Sequence, residues 1–468
     1  MTTTPVAPPE VEAASDATPF DHIKRGLRRQ PVWTGIDAVA VLTTWLILLF
    51  ALPERLVYPP LGAAGAPAGI LAWLIAAWWG LNRLVPQLVS GGRRQPLRQA
   101  LVVVFCACAL AYLFGLLRDP PGVQQRASDR FLLRLLGMSG VALVVADGVR
   151  TRERLDTLLR RLTVAGAALG VMGLVHSFLG FAYAERVTLP GLALNRELFS
   201  GVRRAGVERI TGTANHPIAY GVTLGLLLPL AVHYASVATR GPERQWRVAV
   251  AATIGIAIPI TVSRSAVICV VAAFVVLWLS WPWRRRVNAI GVLGAGLVIV
   301  QAVLPGRILG LFRLFTDLNR DNSLEARTRD YEIVFDHILE RPWFGLGPGT
   351  FLPDEFVQLD NQALKLMLEV GFVGCVAFIF LYVTGMRLAQ SARRGSADEG
   401  TRDLCQTLTA MLVAAFVVCF TFDAYGYSFY WAVVFVTLGA AGALWRLTYS
   451  PSDPRTLAHV RANGDSAG

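Results

Sequence analysis

The sequence predicts an all-α polytopic membrane protein with about twelve transmembrane helices and one large outward loop that contains a helix. Composition is the first reason, because only 16% of the 468 residues are charged and 54% are hydrophobic, unlike a soluble domain. The second reason is that about twelve apolar runs approach the roughly 20 residues that a helix needs to cross a bilayer. These runs centre near residues 43, 75, 108, 140, 171, 226, 255, 274, 297, 374, 416 and 436.

The distribution of positive charge predicts the orientation of the helices. More than half of the 44 lysines and arginines lie in the two terminal segments and in five connections, at 83–98, 148–161, 236–247, 284–286 and 387–405. Such an excess is typical of cytoplasmic loops. We therefore expect both termini in the cytoplasm. Basic residues that face anionic lipid account for the net charge of +12, so we expect a lipid bilayer and no nucleic acid as the partner.

The chain divides into one membrane domain with two tails. Residues 1–30 are polar and rich in Pro, Ala and Thr, which predicts a disordered cytoplasmic tail. Residues 31–447 form the transmembrane domain, and 448–468 form a second cytoplasmic tail. The domain carries two long outer loops, at 182–216 and 304–361.

The loop at 304–361 is the only long polar segment of the domain, so we expect chemistry or recognition there. Its stretch Leu324–Glu340 has helical periodicity, and Pro342 ends it. Arg327 falls on the apolar face of that helix. It either extends its charged end to water or points to a ligand or a buried partner, and we favour the latter.

Ionisable residues at membrane depth mark a functional site by default. Arg264 lies between two apolar runs with almost no loop around it; the alternative is that it anchors the helix to lipid. Asn361, Lys365 and Glu369 are four residues apart, so they form one polar stripe at the start of the tenth helix. The alternative for the last two is a simple ion pair with each other. For Arg134, in the fourth helix, we expect only pairing within the bundle.

Histidine and cysteine positions predict no metal site and no cofactor. Of six histidines, only His216 and His337 fall in outer loops, and neither has ligands at metal-binding spacing. The six cysteines lie in or beside apolar runs, which excludes a disulfide framework. His337 lies near Asp336 and Glu340, and is either a base or a solvated helix residue.

The outward charged residues together suit a diphosphate ligand. Arginines at several positions present planar forks that match phosphate oxygens and keep their charge. A nearby carboxylate or histidine could deprotonate a sugar hydroxyl. The arginines are Arg203, Arg204, Arg209, Arg264 and Arg327, and the carboxylates are Asp330, Asp354, Glu355 and Asp360.

Three motifs resemble the bacterial O-antigen ligases and the related O-antigen or exopolysaccharide polymerases. Their order and the helical layout carry the resemblance, which spans roughly residues 30–445. The motifs are Arg209-Ile210-Thr211-Gly212-Thr213 with Asn215-His216-Pro217; Ser263-Arg264-Ser265; and Arg327 to Phe351 followed by Asp360-Asn361-Gln362-Ala363-Leu364 and Glu369-Val370-Gly371-Phe372-Val373-Gly374.

The resemblance implies a GT-C-like helical bundle in the bacterial inner membrane. It also implies an inverting, metal-independent transfer of a glycan from a polyprenyl-diphosphate carrier to a glycan or glycolipid acceptor on the outer face. Arg264 and Arg209 match the family's phosphate-binding arginines, and we expect Arg204, Arg327, Asn361, Lys365 and Glu369 to bind substrate. Many members have His-Asn where this chain has Asp360-Asn361, so the base is either Asp360, which we favour, or His337.

Two other classes of protein remain open. A transporter or flippase would place its ionisable groups near the bilayer midplane and often shows repeated halves. Here those groups cluster at the outer ends of the helices, which disfavours transport. A non-enzymatic scaffold is the third interpretation. The motifs do not separate a ligase from a polymerase.

Overall fold

The computed structural model describes residues 37–84, 95–195, 203–204, 207–208, 210–239, 241–303, 316, 331, 334–353, 355–356 and 359–449. Over these residues the chain forms twelve helices of 14 residues or more. They are α1 (Ala38–Ala51), α2 (Pro67–Leu84), α3 (Pro96–Leu116), α4 (Gly122–Gly148), α5 (Arg152–Leu179), α6 (Pro217–Val237), α7 (Pro242–Ala257), α8 (Arg264–Ser280), α9 (Trp283–Val303), α10 (Gln362–Gly395), α11 (Glu399–Val418) and α12 (Ser428–Tyr449).

The predicted fold class is confirmed. Each of the twelve apolar runs falls in one of these helices. Eight helices are long and apolar enough to cross a membrane, namely α3, α4, α5, α6, α9, α10, α11 and α12, while α1 and α8 are shorter apolar helices. The described strands have two residues each: β1 (Leu56–Val57) pairs with β2 (Ala193–Leu194), and β3 (Arg203–Arg204) pairs with β4 (Val207–Glu208), both antiparallel.

Local sequence sets the ends of the helices that matter for the site. The side chain of Ser263 caps α8 by accepting from Ala266 N, and the side chain of Asn361 caps α10. Gly371 interrupts α10 with φ 64°, a left-handed conformation that glycine adopts readily. The first turns of α10, before Gly371, therefore form a segment of their own.

Small residues allow the central helices to approach closely. A Cβ on Gly140 of α4 would lie 2.4 Å from the Cα of Ala76 in α2, and a Cβ on Gly439 of α12 would lie 2.6 Å from the carbonyl oxygen of Ala142. α4 thus packs closely against α2 on one side and against α12 on another. α12 and α6 are buried along most of their lengths. α9 lies at the periphery, with apolar side chains exposed along its length.

The bundle has two chemically different ends. The loop end gathers the described parts of six connections, at 52–66, 117–121, 180–216, 258–263, 304–361 and 419–427. The basic end holds the opposite ends of the helices and many arginines, among them Arg83, Arg98, Arg152, Arg285 and Arg446. The charge asymmetry that the sequence showed is therefore an asymmetry between the two ends of one bundle.

Candidate active site

The N-termini of two helices meet at the 419–427 loop, which joins α11 to α12. From α8, the hydroxyl of Ser265 donates to the carbonyl of Thr421 at 3.2 Å. From α10, the backbone N–H of Gln362 donates to the carbonyl of Phe422 at 3.1 Å. Motifs that are about 100 residues apart along the chain are thereby brought to one place at the loop end.

Arg264 is the first residue of α8, directly after a sharp turn. A 3₁₀ helix, Ile258–Thr261, ends α7, and Val262 then adopts φ 44° and ψ 52° while fully buried. A left-handed conformation is unusual for a β-branched residue, and such strain clusters at functional sites. The turn places Arg264, which is half-buried, at the positive end of the α8 dipole.

The polar stripe at the start of α10 divides among different partners. Asn361 caps the helix, since its Oδ1 accepts from the N–H groups of Ala363 and Leu364. Lys365 Nζ forms an ion pair with Oδ2 of Asp423 at 2.8 Å. The described ion-pair partner of Lys365 is thus Asp423 of the 419–427 loop, and not Glu369 as in the predicted alternative.

Glu369 is buried and holds the glycine-rich segment at 341–351. Its Oε1 accepts from the N–H of Phe351 at 3.3 Å. The backbone around it pairs with the same segment: Leu346 N donates to Leu368 O at 2.8 Å, and Gly347 N donates to Glu369 O at 2.9 Å. A Cβ on Gly345 would lie 2.4 Å from the carbonyl of Leu368, so the glycine permits this contact. The two halves of the third motif form one interlocked unit.

Two arginines that sequence reasoning missed or undervalued support the loop end. Arg134 of α4 donates through Nη1 to the carbonyls of Tyr425 and Gly426, at 3.0 and 3.3 Å. Arg55, only 5% exposed, donates through Nε to Oδ1 of Asn215 and through Nη2 to its carbonyl, both at 2.9 Å. Both arginines therefore hold loops in place through backbone carbonyls, with a further contact from Arg55 to the side chain of Asn215, and contacts to carbonyls leave little trace in sequence pattern.

The motif around Asn215 is a helix junction. His216 caps α6, since its Nδ1 accepts from the N–H of Ile218 at 3.2 Å, and its ring lies 5.8 Å from that of Tyr427. Thr213 Oγ1 donates to the carbonyl of Phe50 at 2.9 Å. These contacts join the start of α6 to the end of α1 and to the 419–427 loop.

The two candidate bases lie in neighbouring elements, Asp360 at the start of α10 and His337 in the helical stretch 334–340. Asp360 is half-buried and directly precedes the capping Asn361. His337 lies in the helical stretch 334–340, with its ring 5.9 Å from that of Phe356 and a buried Nδ1 that has no hydrogen-bond partner among the described residues. A pocket of about 330 Å³ lies between that stretch and α10, and it is mainly apolar. Its lining is Tyr331, Val334, Phe335, Asn361, Ala363, Leu364 and Phe420.

A second polar group borders the glycine-rich segment, where a Cβ on Gly115 of α3 would lie 2.9 Å from the Cα of Gly347. Arg118 Nη2 donates to Gln124 Oε1 at 2.8 Å, and Gln124 Nε2 donates to Glu355 Oε2 at 2.5 Å. Burial, followed by the nearby positive charge of Arg341, lowers the pKa of Arg118. Glu355, predicted as part of the outward set, is thereby linked to the α3–α4 connection.

Several predicted site residues lie outside what the structure describes. Arg209, Arg327, Asp330 and Asp354 fall outside the described residues, as do the whole predicted N-terminal tail, 1–30, and residues 450–468 of the predicted C-terminal tail. Arg203 and Arg204 form strand β3, but their side chains are not described. The described part of the predicted set is thus Arg264, His337, Asp360, Asn361, Lys365 and Glu369, together with Glu355.

The described site is suited to an anion beside an apolar surface. The N-termini of α8 and α10 present positive dipole ends to the same loop, and Arg264 adds a fixed positive charge. The apolar pocket adjoins the cap of α10. A ligand with a charged group next to a hydrocarbon chain matches both features.

Comparison with known proteins places the central motifs in a family. Residues 249–379 match the family model described as O-Antigen ligase. The Ser263–Ser265 motif and the third motif fall inside this range, whereas the Arg209–Pro217 motif falls outside it. No curated protein matches the chain. Together with the apolar helices, the match supports a multi-pass membrane enzyme that acts on glycans. The family match at residues 249–379 therefore supports the resemblance of this chain to the O-antigen ligases.

Proposed function

We propose that the protein is an inverting, metal-independent glycosyltransferase. It moves a glycan from a polyprenyl-diphosphate carrier to the hydroxyl of a glycan or glycolipid acceptor. The observation that carries the proposal is the meeting of two helix N-termini at the 419–427 loop, with Arg264 at one of them. This arrangement fits the developing charge of a diphosphate leaving group in a reaction that breaks a glycosyl–phosphate bond.

The leaving group is stabilised by charge and by donors that are already in position. Arg264 can form bidentate hydrogen bonds to phosphate oxygens, and its charge does not depend on pH. The turn at Val262 and the cap by Ser263 fix its starting position on α8. Arg209 and Arg327, which lie in the family motifs, and the outward Arg204 complete the donor site in this proposal.

The acceptor hydroxyl loses its proton to a base near the start of α10. Asp360 is the first candidate, because it occupies the motif position that holds histidine in many family members. His337 is the second, because it lies in the 334–340 stretch, which borders the same pocket as Asn361, and its buried Nδ1 has no hydrogen-bond partner among the described residues. A carboxylate and an imidazole are both competent bases at neutral pH.

The reaction takes place at the loop end, which we assign to the outer face of the bacterial inner membrane. The arginines of the basic end support this orientation, since positive residues favour the cytoplasmic side. The apolar pocket beside Asn361 then lies at the outer membrane surface, where a polyprenyl chain could lie along it while its diphosphate reaches Arg264.

Reconstitution tests the proposal. The purified full-length protein in nanodiscs is given a polyprenyl-diphosphate-linked glycan and a candidate acceptor. The glycosylated acceptor and the released polyprenyl diphosphate are followed by mass spectrometry. Glycan on a separate acceptor, with release of free polyprenyl diphosphate, indicates a ligase. Longer glycans on the carrier indicate a polymerase. If the donor stays intact but crosses the bilayer of sealed vesicles, the protein is a transporter and the proposal fails.

A further inference from the structure

A second built site lies at the basic end, where one carboxylate collects donors from three side chains. Asp147, near the C-terminus of α4, accepts from Trp79 Nε1 at 2.9 Å and from Arg83 Nη2 at 2.9 Å, both on α2. It also accepts from Nε and Nη2 of Arg98 on α3, at 3.0 and 2.8 Å. The carboxylate is 7% exposed, so it holds both guanidiniums in fixed positions.

A third guanidinium lies beside this group. Arg446 of α12 donates through Nε to the carbonyl of Ala146 at 2.9 Å and through Nη2 to the carbonyl of Val149. These carbonyls are at the negative end of α4 and satisfy Arg446 locally. Within the described residues, one carboxylate therefore stands among three guanidiniums, and the cluster keeps an excess of positive charge.

The excess is open to the surroundings on the α2 and α3 side. The side chains of Arg83 and Arg98 are 29% and 24% exposed. Each guanidinium has five N–H donors, of which Asp147 takes one from Arg83 and two from Arg98. The guanidinium of Arg83 also lies over the ring of Trp79, at 5.5 Å, which restricts its movement further.

An apolar surface adjoins the charged group. Val102 and Phe105 of α3 are 60% and 37% exposed, and because they follow Arg98 by four and seven residues they lie on the same face of α3, towards the membrane interior. A lipid acyl chain would cover them. Positive charge at the end of a helix, with exposed hydrocarbon next to it, fits a phospholipid better than a free ion.

We propose that the cluster of Trp79, Arg83, Arg98, Asp147 and Arg446 binds the phosphate of an anionic phospholipid in the leaflet at the basic end. Arg83 and Arg98 contact the phosphate, Asp147 positions them, and the exposed face of α3 below Arg98 contacts the acyl chains. The site lies at the opposite end of the bundle from Arg264, so it does not depend on the proposed transfer reaction.

Native mass spectrometry of the purified full-length protein tests this site. The protein is titrated with phosphatidylglycerol and, separately, with phosphatidylcholine. We expect tighter binding of phosphatidylglycerol. R83Q/R98Q should weaken it by roughly fivefold for each guanidinium removed, or about 1 kcal/mol each, without changing phosphatidylcholine binding. R83K/R98K keeps the charge but loses the fork, so an intermediate affinity is expected.

A charge-matched control separates a specific lipid-binding site from general attraction of anionic lipid by the positive charge at this end. R244Q/R402Q removes two exposed arginines at the same end, outside the cluster, and should leave phosphatidylglycerol binding unchanged. Equal loss in both double variants would overturn the proposal, as would a wild type without lipid preference. Glycerol phosphate and inorganic phosphate at millimolar concentration should not displace the lipid; displacement would assign the site to a soluble phosphate instead. Thermal unfolding of each variant checks that it is folded. If R83Q/R98Q is unfolded, the test rests on R83K/R98K, and wild-type affinity for phosphatidylglycerol in that variant would refute recognition of the phosphate by the guanidinium forks.

Discussion

Lys365 Nζ lies 2.8 Å from Oδ2 of Asp423, and this ion pair joins the first turns of α10 to the 419–427 loop. The side chains are 14% and 26% exposed, so the pair is partly shielded from water. The same loop accepts a hydrogen bond from Ser265 of α8. The pair therefore helps to fix the position of the α10 cap relative to Arg264.

Breaking the ion pair from one side should destabilise the loop end. K365M leaves the Asp423 carboxylate without its cation and D423N leaves the ammonium without its anion, whereas K365M/D423N removes both charges. A coupling free energy of roughly 0.5–3 kcal/mol is expected from thermal unfolding of the four proteins in one detergent. Additive effects of the two substitutions would contradict a direct interaction.

The same double variant separates a structural role of Lys365 from the substrate-binding role that the sequence predicted. If Lys365 only positions the loop, K365M/D423N should recover both stability and turnover relative to the single variants. Recovered stability without turnover would mean that the ammonium also contacts the donor.

Variants of Glu369 test in the same way whether this residue has a structural role or contacts the substrate. E369Q keeps an oxygen that can accept the N–H of Phe351, so stability and turnover should stay near wild type. E369L leaves that buried N–H without its acceptor, at a cost of about 1–3 kcal/mol. Thermal unfolding and a transfer assay distinguish the cases. Loss of turnover in E369Q at unchanged stability would show that the carboxylate acts on the substrate.

The helices and the motifs could be predicted from the sequence because both depend on local pattern. Apolar runs located all twelve long helices, and Ser263-Arg264 and Asp360-Asn361 mark helix starts. The partners of these residues could not be predicted. Asp423 lies 58 residues from Lys365, and its loop is too short to stand out by composition.

Contacts to backbone oxygens were the hardest to foresee. Arg134 donates to carbonyls 291 and 292 residues away, and Arg55 Nη2 donates to a carbonyl 160 residues away. A carbonyl is present at every residue, so nothing in the amino-acid pattern identifies the acceptor. Glu369 shows the same limit, since its spacing from Lys365 predicted a polar stripe, while folding buries it against the 341–351 segment.

The base can be identified by three variants and one control. D360N should reduce turnover by roughly 10²–10⁴-fold, and D360H should restore part of it if the position defines the role. H337A should then have little effect. D336N, at an exposed position next to His337, is the control and should not change turnover. Abolished transfer in H337A with normal transfer in D360N would move the base to the 334–340 stretch.

The orientation can be tested with single cysteines at exposed positions of the two ends. E340C lies at the loop end and A397C at the basic end. An impermeant thiol reagent should label E340C on intact cells and label A397C only after the membrane is opened, above the background of the wild-type protein. The reverse pattern would place the candidate site in the cytoplasm and exclude transfer on the outer face.

Arg264 tests the central claim most directly, namely that the loop end stabilises a diphosphate leaving group. Turnover of a polyprenyl-diphosphate glycan is measured for the wild type, R264K and R264A, with R402Q as a control at the basic end and expression and melting temperature matched. We predict a loss on the order of 10²–10³-fold for R264A and a partial loss for R264K, which keeps the charge but not the fork. Near-normal turnover in a folded R264A would mean that Arg264 only anchors the helix to lipid, and it would contradict the claim that this arginine stabilises the diphosphate leaving group.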